Sequence, residues 1–205
     1  MLLHFSPTSP YVRKVMIVAR ETGLVDRITL ETRAASPVRP DEALSGANPL
    51  GKVPALETED GLALFDSPVV CEYLDSLHDG AKIFPNAGRA RWTALQQQAL
   101  GDGLLDAALL VRYEMGMRPR ERQWADWEAG QRDKMARALS VMEGQAQALG
   151  DTITIGTITF ACALGYLDFR FADDNWRDKA PTLAGWFSGF EARPSYRDTA
   201  PPSDG

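Results

Sequence analysis

The period of the hydrophobic and polar positions changes near residue 80. Within residues 1–80, short apolar runs alternate with amphipathic segments, whereas from Arg89 onward the apolar positions follow a helical period almost everywhere. Residues 79–88 contain the glycine, proline and asparagine that are typical of a connection. We therefore predict an α/β domain over residues 1–80 and an all-helical domain over residues 89–205.

The first of these domains is predicted to be a small mixed sheet covered by helices. Apolar or alternating runs predict strands over residues 2–5, 28–32, 53–57 and 62–65. Amphipathic runs predict helices over residues 10–22 and 67–78. The first strand, helix and second strand form a βαβ unit with parallel strands, and Asp60-Gly61 is the turn of a hairpin between the last two. This order fits a thioredoxin-like domain.

The second domain is predicted to contain only helices. Helical spacing places them over residues 89–117, 123–149, 154–172 and 181–191. Gly101 and Gly103 predict a bend in the first of them, because glycine weakens a helix interior.

Composition and charge narrow the class of protein. The chain has 205 residues, 44% of them hydrophobic and 24% charged, which is typical of a globular protein. The longest apolar run is shorter than the roughly 20 residues that a membrane span requires, so no membrane association is expected. The first residues do not resemble a secretory signal, which favours a cytoplasmic location. The net charge is −6 and the basic residues are scattered, so nucleic acid is not an expected partner.

The residues that bind metals or react as thiols are few. The chain contains two cysteines, Cys71 and Cys162, and two histidines, His4 and His78, with no CxxC motif. These residues predict neither a zinc site nor a disulfide framework, so we expect no metal. Any thiol chemistry would therefore be supplied by a ligand.

Two Ser-Pro pairs stand where helices are predicted to begin. Serine is a favoured N-cap and proline is tolerated at the first helical position, so Ser9-Pro10 and Ser67-Pro68 each place a hydroxyl and open N–H groups at a positive helix end. Each is either an anion site or a plain cap. The position of Ser9 after the first strand of a βαβ unit favours a site there. Asp66 precedes the second pair, where its alternative role is to compensate the dipole of the helix start.

A run of turn residues leads into the third predicted strand. Asn48–Pro54 ends in Val53-Pro54, where proline cannot donate a ladder hydrogen bond. The backbone of Val53 either faces a ligand beside a cis peptide bond or belongs to an edge strand with a trans proline. The spacing alone leaves both alternatives open.

These motifs, in this order, resemble those of the cytosolic glutathione S-transferases, specifically the bacterial serine type. The resemblance rests on Ser9–Lys14, Asn48–Leu56 and Asp66-Ser67, followed by a helical half, and it spans essentially the whole chain. Thr154–Ile158 is similar to the start of the buried helix in the family's second domain. That family often has an acidic residue at the position of Thr157, so we expect a weakened capping box here.

The resemblance implies a site for glutathione. Ser9 matches the hydroxyl that serine-type members direct at the glutathione sulfur. Val53 matches the residue whose backbone pairs with the cysteinyl part, beside a cis-proline that matches Pro54. Asp66 and Ser67 match the pair that holds the γ-glutamyl end.

Other contacts are implied less specifically. Lys52 stands where it can contact the glycyl or cysteinyl portion, and the segment 33–39 would lie near the glycine carboxylate, with its contact residue left open. The second substrate is expected between the domains. Candidate residues for its pocket, each with ordinary packing as the alternative, are Tyr11, Arg112, Tyr113, and Tyr166 or Phe169.

The resemblance implies an enzyme of detoxification. Such a transferase uses glutathione as co-substrate, without a metal, and conjugates it to a small electrophile, which we expect to be apolar. The implied assembly is a homodimer. Two alternatives stay open, namely a binding or interaction protein without turnover, and a glutathione-dependent peroxidase, isomerase or dehalogenase.

Overall fold

The computed structural model describes residues 1–203, and its internal contacts divide the chain into two compact units. The first unit contains Met1–Asn86 together with the segment from Arg193 onward, and the second contains Ala87–Ala192. The first combines a four-stranded sheet with helices, and the second is helical. The predicted fold class is therefore confirmed. Residues 204 and 205 of the predicted second domain lie outside the described residues.

The described chain contains four strands and nine α-helices. The strands are β1 (Leu2–Phe5), β2 (Thr29–Thr32), β3 (Ala55–Glu57) and β4 (Ala63–Leu64). The helices are α1 (Pro10–Glu21), α2 (Glu42–Ala47), α3 (Ser67–Ser76), α4 (Gly88–Gly116), α5 (Ala125–Leu149), α6 (Ile155–Arg170), α7 (Trp176–Lys179), α8 (Pro181–Glu191) and α9 (Pro194–Arg197). The sequence pattern does not predict α2, α7 and α9, because elements of four to six residues are too short to display a helical period.

The sheet has the order β2-β1-β3-β4. β1 and β2 are parallel, as the βαβ pattern predicts, while β3 is antiparallel to both β1 and β4, as the hairpin predicts. β3 begins at Ala55 and not at the predicted Val53. The difference has a physical reason, because Pro54 has no N–H with which to extend the ladder.

The C-terminal segment is tied to α1 within the first unit. The Arg13 guanidinium donates to the hydroxyl of Tyr196 at 3.1 Å and to its carbonyl at 3.0 Å. At the other end of α1, Arg193 donates to both carboxylate oxygens of Glu21, at 3.1 and 3.0 Å. Ser195 also donates to Glu21, at 2.5 Å. These contacts join residues far apart in sequence, so no local pattern predicts them.

The centre of the second unit is α6, which is buried from Ile155 to Leu167. α4 passes close to it and continues through Gly101 and Gly103 as one helix of 29 residues, so glycine does not interrupt it there. A Cβ at Gly101 would meet the Thr159 Cγ2 at 2.8 Å, and one at Gly156 would meet the Ala94 carbonyl oxygen at 2.9 Å. Gly101 and Gly156 therefore permit the close packing of α4 against α6.

The start of α6 has a complete capping box in spite of its departure from the family's acidic residue. The Thr154 hydroxyl accepts from the Thr157 N–H at 3.3 Å, and the Thr157 hydroxyl accepts from the Thr154 N–H at 2.9 Å. A threonine hydroxyl at this position thus accepts the bond that the acidic side chain would accept.

No helix among the described residues has both the length and the apolar character that crossing a membrane requires.

Candidate functional site

The residues predicted to bind a ligand lie next to the ends of strands at one edge of the sheet. This sheet edge is the side at which β1, β2 and β4 end and β3 begins. β1 ends at Phe5, shortly before Ser9. β3 runs antiparallel to β1 and begins with Ala55, which pairs with His4 near the end of β1. Val53-Pro54 therefore precedes β3 at the same edge where β1 ends.

The other two strands end at this edge as well. β4 runs antiparallel to β3, so its end leads toward the same edge and into Asp66-Ser67. β2 is parallel to β1, and the Arg33 N–H directly after it donates to the Phe5 carbonyl oxygen at 2.8 Å. The segment 33–39 therefore starts here too. The topology brings together four segments that are widely separated in the sequence.

Ser9 is the N-cap of α1, as predicted. Its backbone is extended, and its hydroxyl oxygen accepts from the Val12 N–H at 3.3 Å. Because a hydroxyl accepts and donates at once, this bond leaves the Ser9 proton available to donate. Pro10 occupies the first helical position and the first turn has no acidic residue, so the positive end of the helix dipole is not neutralised locally. The half-buried hydroxyl can therefore donate to an anion.

The peptide bond between Val53 and Pro54 is cis, so the trans proline of the second alternative is excluded. The turn before it is organised by the buried Asn48, whose amide donates to the Lys52 carbonyl at 2.8 Å and accepts from the Leu50 N–H at 3.0 Å. Because the β1–β3 pairing starts at Ala55, the backbone of Val53 lies outside that ladder. It can pair with a peptide-like ligand, and the exposed Lys52 lies next to it.

α3 begins at Ser67, the first residue of the predicted range, but its cap residue is not the predicted one. Its N-cap is Asp66, and Ser67 is the first helical residue, buried to 1% exposure, so the expected capping by Ser67 is wrong. The shift places Pro68 at the second helical position, where its missing N–H still costs no intrahelical bond. Among the described residues the exposed Asp66 side chain makes no cap hydrogen bond. An acidic group and the open N–H groups of a helix start therefore lie side by side.

Arg33 is held in a polar network that the sequence analysis missed. Its Nε donates to the His4 Nδ1 at 3.1 Å, and its Nη2 lies 2.5 Å from a Glu31 oxygen. Because Nδ1 accepts, the proton of neutral His4 is on Nε2, which donates to Glu57 at 2.8 Å. The signal was present in the sequence as polar residues on neighbouring strands, but it is visible only once the register is known.

The predicted pocket residues divide between the two units. Tyr11 is half-buried at the start of α1, whereas Arg112 and Tyr113 lie near the end of α4 and Tyr166 lies on α6. Burial raises the pKa of Tyr166, while the positive charges of Arg112 and Arg170 act in the opposite direction. The structure thus brings together Arg112, Tyr113 and Tyr166, and adds Arg170, which sequence reasoning missed.

Comparison with known families decides the identity of the fold. The model of the glutathione S-transferase N-terminal domain matches residues 8–77, and that of the C-terminal domain matches residues 125–188. The chain belongs to the glutathione S-transferase family. The model match to the first domain spans Ser9, Val53, Asp66 and Ser67, so the sheet edge lies within the family's N-terminal domain.

Individual relatives of this glutathione S-transferase family member cover nearly its whole length. The uncharacterized GST-like protein YibF of Escherichia coli K12 is 37% identical, with 98% of this chain and 99% of that protein aligned. A glutathione transferase family member from Pseudomonas fluorescens Pf-5, crystallised with bound glutathione, is 48% identical with a TM-score of 0.96 over 98% of each chain. A second structure from that organism, with bound S-(propanoic acid)-glutathione, is 46% identical with a TM-score of 0.91, covering 98% of this chain and 100% of that one.

Proposed function

We propose that this protein is a glutathione transferase that binds reduced glutathione at the sheet edge and conjugates it to a small electrophile. The observation that carries the proposal is the Ser9 hydroxyl, which caps α1 with its proton still available, at the edge where four strand ends meet. The similar proteins from Pseudomonas fluorescens, crystallised with glutathione and with a glutathione conjugate, support it.

Ser9 would stabilise the ionised sulfur of glutathione. A free thiol has a pKa of about 8.5, so only a few per cent is the nucleophilic thiolate at neutral pH. Lowering this pKa by about two needs roughly 2.7 kcal/mol of preferential stabilisation of the anion. A hydrogen bond from Ser9 to the charged sulfur contributes about 1.5–3 kcal/mol, and the α1 N-terminus about 0.3–1 kcal/mol. The two contributions match the requirement, and Ser9 keeps its proton throughout.

The other groups at the edge would bind the rest of the tripeptide. Asp66 pairs with the ammonium of the γ-glutamyl end, while Ser67 and the open N–H groups of α3 bind its carboxylate. The backbone of Val53, which lies outside the β1–β3 ladder, pairs with the cysteinyl unit beside the cis peptide bond to Pro54. Lys52 supplies a positive charge for the glycyl or the cysteinyl portion. The site would thereby bind both charged groups of the γ-glutamyl end and the peptide backbone in the middle of the ligand.

The reaction is a nucleophilic attack by sulfur. The thiol proton passes to solvent, the sulfur–carbon bond forms, and a leaving group such as chloride departs with the electron pair of its bond to carbon. We propose that the helical unit contributes the contacts to the electrophile through Arg112, Tyr113 and Tyr166, and that Tyr11 contributes from the first unit.

Calorimetry and a conjugation assay together test this function. We expect reduced glutathione to bind and chlorodinitrobenzene to be turned over with saturation in glutathione. Tight binding without turnover of any activated haloarene would contradict the transferase proposal and favour a protein that only binds glutathione. Absence of glutathione binding would contradict the proposed glutathione site itself.

We also propose that the protein forms a homodimer, as the family resemblance implies. Light scattering on the purified chain should then give a mass of two chains, and a mass of one chain at micromolar concentration would contradict it.

A further inference from the structure

The order of the strands arranges the residues of the sheet edge in a row. The strands lie in the order β2-β1-β3-β4, and each is joined at this edge to one polar segment. Along the edge these segments follow one another as Arg33, Ser9, Val53 and Asp66. The proposed function places the γ-glutamyl end of glutathione at the β4 end of this row and the cysteinyl unit in its middle. The glycine carboxylate then points toward the end of β2, where Arg33 stands.

The length of glutathione suits this row. Neighbouring strands lie about 4.8 Å apart, so the three steps from β4 to β2 span about 14 Å. An extended tripeptide spans about 10–11 Å. The long side chain of an arginine at the end of β2 covers the difference.

The side chain of Arg33 belongs to a network around the ring of His4, which is 2% exposed. His4 Nδ1 accepts from the Arg33 Nε at 3.1 Å, and His4 Nε2 donates to Glu57 at 2.8 Å. Glu31, which is opposite His4 in the strand register, lies 3.8 Å from Nδ1 and 2.5 Å from the Arg33 Nη2. Among the described residues, these three are the charged groups that contact His4.

This network has more negative than positive charge. It contains two carboxylates, those of Glu31 and Glu57, and one permanent cation, Arg33, while His4 is neutral as long as its Nδ1 accepts a hydrogen bond. A ligand carboxylate bound to Arg33 would add a further negative charge. Because nearby negative charge favours the charged form of histidine, a proton on His4 would then restore the balance.

Arg33 can reach a ligand from its place in the network. Its side chain is 17% exposed, and its Nη1 makes no hydrogen bond within the described part of the chain. A protonated His4 Nδ1 and the Arg33 Nε would both be donors, so they cannot remain bonded to each other. Binding of a carboxylate by Arg33 and uptake of a proton by His4 therefore favour each other.

We infer that Arg33 binds the glycine carboxylate of glutathione and that His4 takes up a proton from solvent when it does so. The proton occupies Nδ1 in place of the bond from Arg33, and the Glu31 carboxylate accepts from it. No covalent bond other than this N–H bond forms or breaks. The inference rests on the proposed glutathione site and names the contact residue that the segment 33–39 leaves open.

Calorimetry with S-methylglutathione tests this inference, because this ligand has no thiol proton to release. Titrations in two buffers of different ionisation enthalpy count the protons exchanged on binding. We expect net proton uptake at neutral pH. Histidine changes its charge between about pH 5 and 8, so the affinity for S-methylglutathione should fall by about threefold or more as the pH rises through this range.

A change in the ligand locates the carboxylate. S-methylglutathione in which the glycine carboxylate is replaced by the amide should bind about tenfold more weakly, since a hydrogen bond to a charged group contributes about this much. The amide should also bind without proton uptake. Equal affinities for the acid and the amide would overturn the inference.

Substitution of Arg33 locates the partner of that carboxylate. Arg33→Gln should weaken the binding of S-methylglutathione about tenfold and abolish the proton uptake. Arg27 provides the matched control, because it precedes β2 at the opposite end of the strand and donates to Glu59 at 2.9 Å. Arg27→Gln should leave both quantities unchanged. An equal loss of affinity in Arg27→Gln would show a general charge effect and overturn the assignment.

The two histidines of the chain locate the proton. His4→Asn should bind S-methylglutathione without proton uptake. His78 has a similar hydrogen-bond pattern, because its Nδ1 accepts from the Gly80 N–H at 3.1 Å and its Nε2 lies 3.0 Å from an Asp75 oxygen. His78→Asn should therefore keep the uptake. Since His4 is buried, Arg33→Gln and the glycine amide provide the tests that leave the core unchanged.

The outcomes separate this inference from the proposed function. Binding of S-methylglutathione without proton uptake, or with the same uptake in His4→Asn, overturns the inference and leaves the transferase intact. Failure of both reduced glutathione and S-methylglutathione to bind contradicts the glutathione site and, with it, the proposed function.

Discussion

The starts of α1 and α3 carry the same Ser-Pro dipeptide but use it differently. At α1 the serine is the N-cap, its hydroxyl oxygen is bonded to the Val12 N–H, and its proton remains to be donated. At α3 the serine is instead the first helical residue. Ser67 is buried there, and the preceding Asp66 is the cap residue. The same Ser-Pro dipeptide therefore provides a half-buried hydroxyl at the start of α1 and a buried hydroxyl at the start of α3.

The starts of α2 and α3 differ in whether the acidic cap residue bonds its own helix. Asp41 at α2 bonds the Leu44 N–H at 3.0 Å, so its carboxylate has a structural task. Asp66 has the same position at α3 without that bond among the described residues, and its exposed carboxylate remains available to a ligand. A cap residue that does not cap with its side chain is thus a candidate for binding.

The largest effect is expected from Ser9→Ala. Turnover should fall by tenfold to a hundredfold, because about 1.4–2.8 kcal/mol of thiolate stabilisation is lost, while the affinity for glutathione changes by only a few fold. The helix cap is also lost, so the free energy of unfolding should fall by about 1 kcal/mol. Steady-state kinetics, calorimetry and urea unfolding measure the three quantities.

The neighbouring hydroxyl provides the control for Ser9. Thr8→Ala should keep wild-type turnover. Unchanged turnover in Ser9→Ala, together with a loss of turnover in Thr8→Ala, would show that Thr8 and not Ser9 contacts the sulfur. The contrast between the starts of α1 and α3 would then not hold.

The pair Asp66→Ala and Asp41→Ala sharpens the contrast between the two acidic caps. Asp66→Ala should weaken glutathione binding by about tenfold, since it removes the partner of the ammonium, and change the stability by less than about 0.5 kcal/mol. Asp41→Ala should lower the stability by about 1 kcal/mol and leave the affinity unchanged. Calorimetry measures the glutathione affinity of both variants and urea unfolding measures their stability. Equal glutathione affinities of wild type and Asp66→Ala would remove Asp66 from the site.

The capping box at α6 is a purely structural helix start in the same comparison. Thr157→Ala should reduce the free energy of unfolding by about 1–2 kcal/mol, because the Thr154 N–H loses its acceptor, without affecting glutathione affinity. Thr152→Ala, at an exposed position nearby, should change the stability little. A stability loss of the same size in both variants would mean that the box contributes nothing specific.

The other end of α1 gives the smallest effect, and it depends on pH. Burial alone would raise the pKa of Glu21, but the hydrogen bonds from Arg193 and Ser195 and the charge of Arg193 outweigh it and lower the pKa below the ordinary 4.5. The stabilisation is therefore present above that value and is lost as the pH falls through the folded-state pKa. We expect Glu21→Gln to be less stable than wild type by about 1 kcal/mol at neutral pH, with the difference vanishing in acid. A difference that is constant with pH in urea unfolding would contradict it.

The sequence pattern predicts the long elements and the order of the motifs, because these depend on local periodicity and capping. It fails where the decision depends on contacts between distant residues. The Ser-Pro dipeptide does not show that Asp66, and not Ser67, is the N-cap of α3, and the link of Arg33 to His4 depends on the strand register. Pro54 is an intermediate case, since its motif leaves a cis and a trans peptide bond open, and the structure has the cis form.

The central claim is that a hydroxyl at the start of α1 holds the glutathione sulfur as an anion. The most direct test follows the ultraviolet absorbance of the thiolate in the glutathione complex as the pH is varied, in wild type and in Ser9→Ala. We expect the bound thiol to titrate about two pH units below free glutathione in wild type, and most of that difference to disappear in the variant. A bound thiol that titrates like free glutathione, or one whose titration is unaffected by the loss of the Ser9 hydroxyl, would contradict the mechanism.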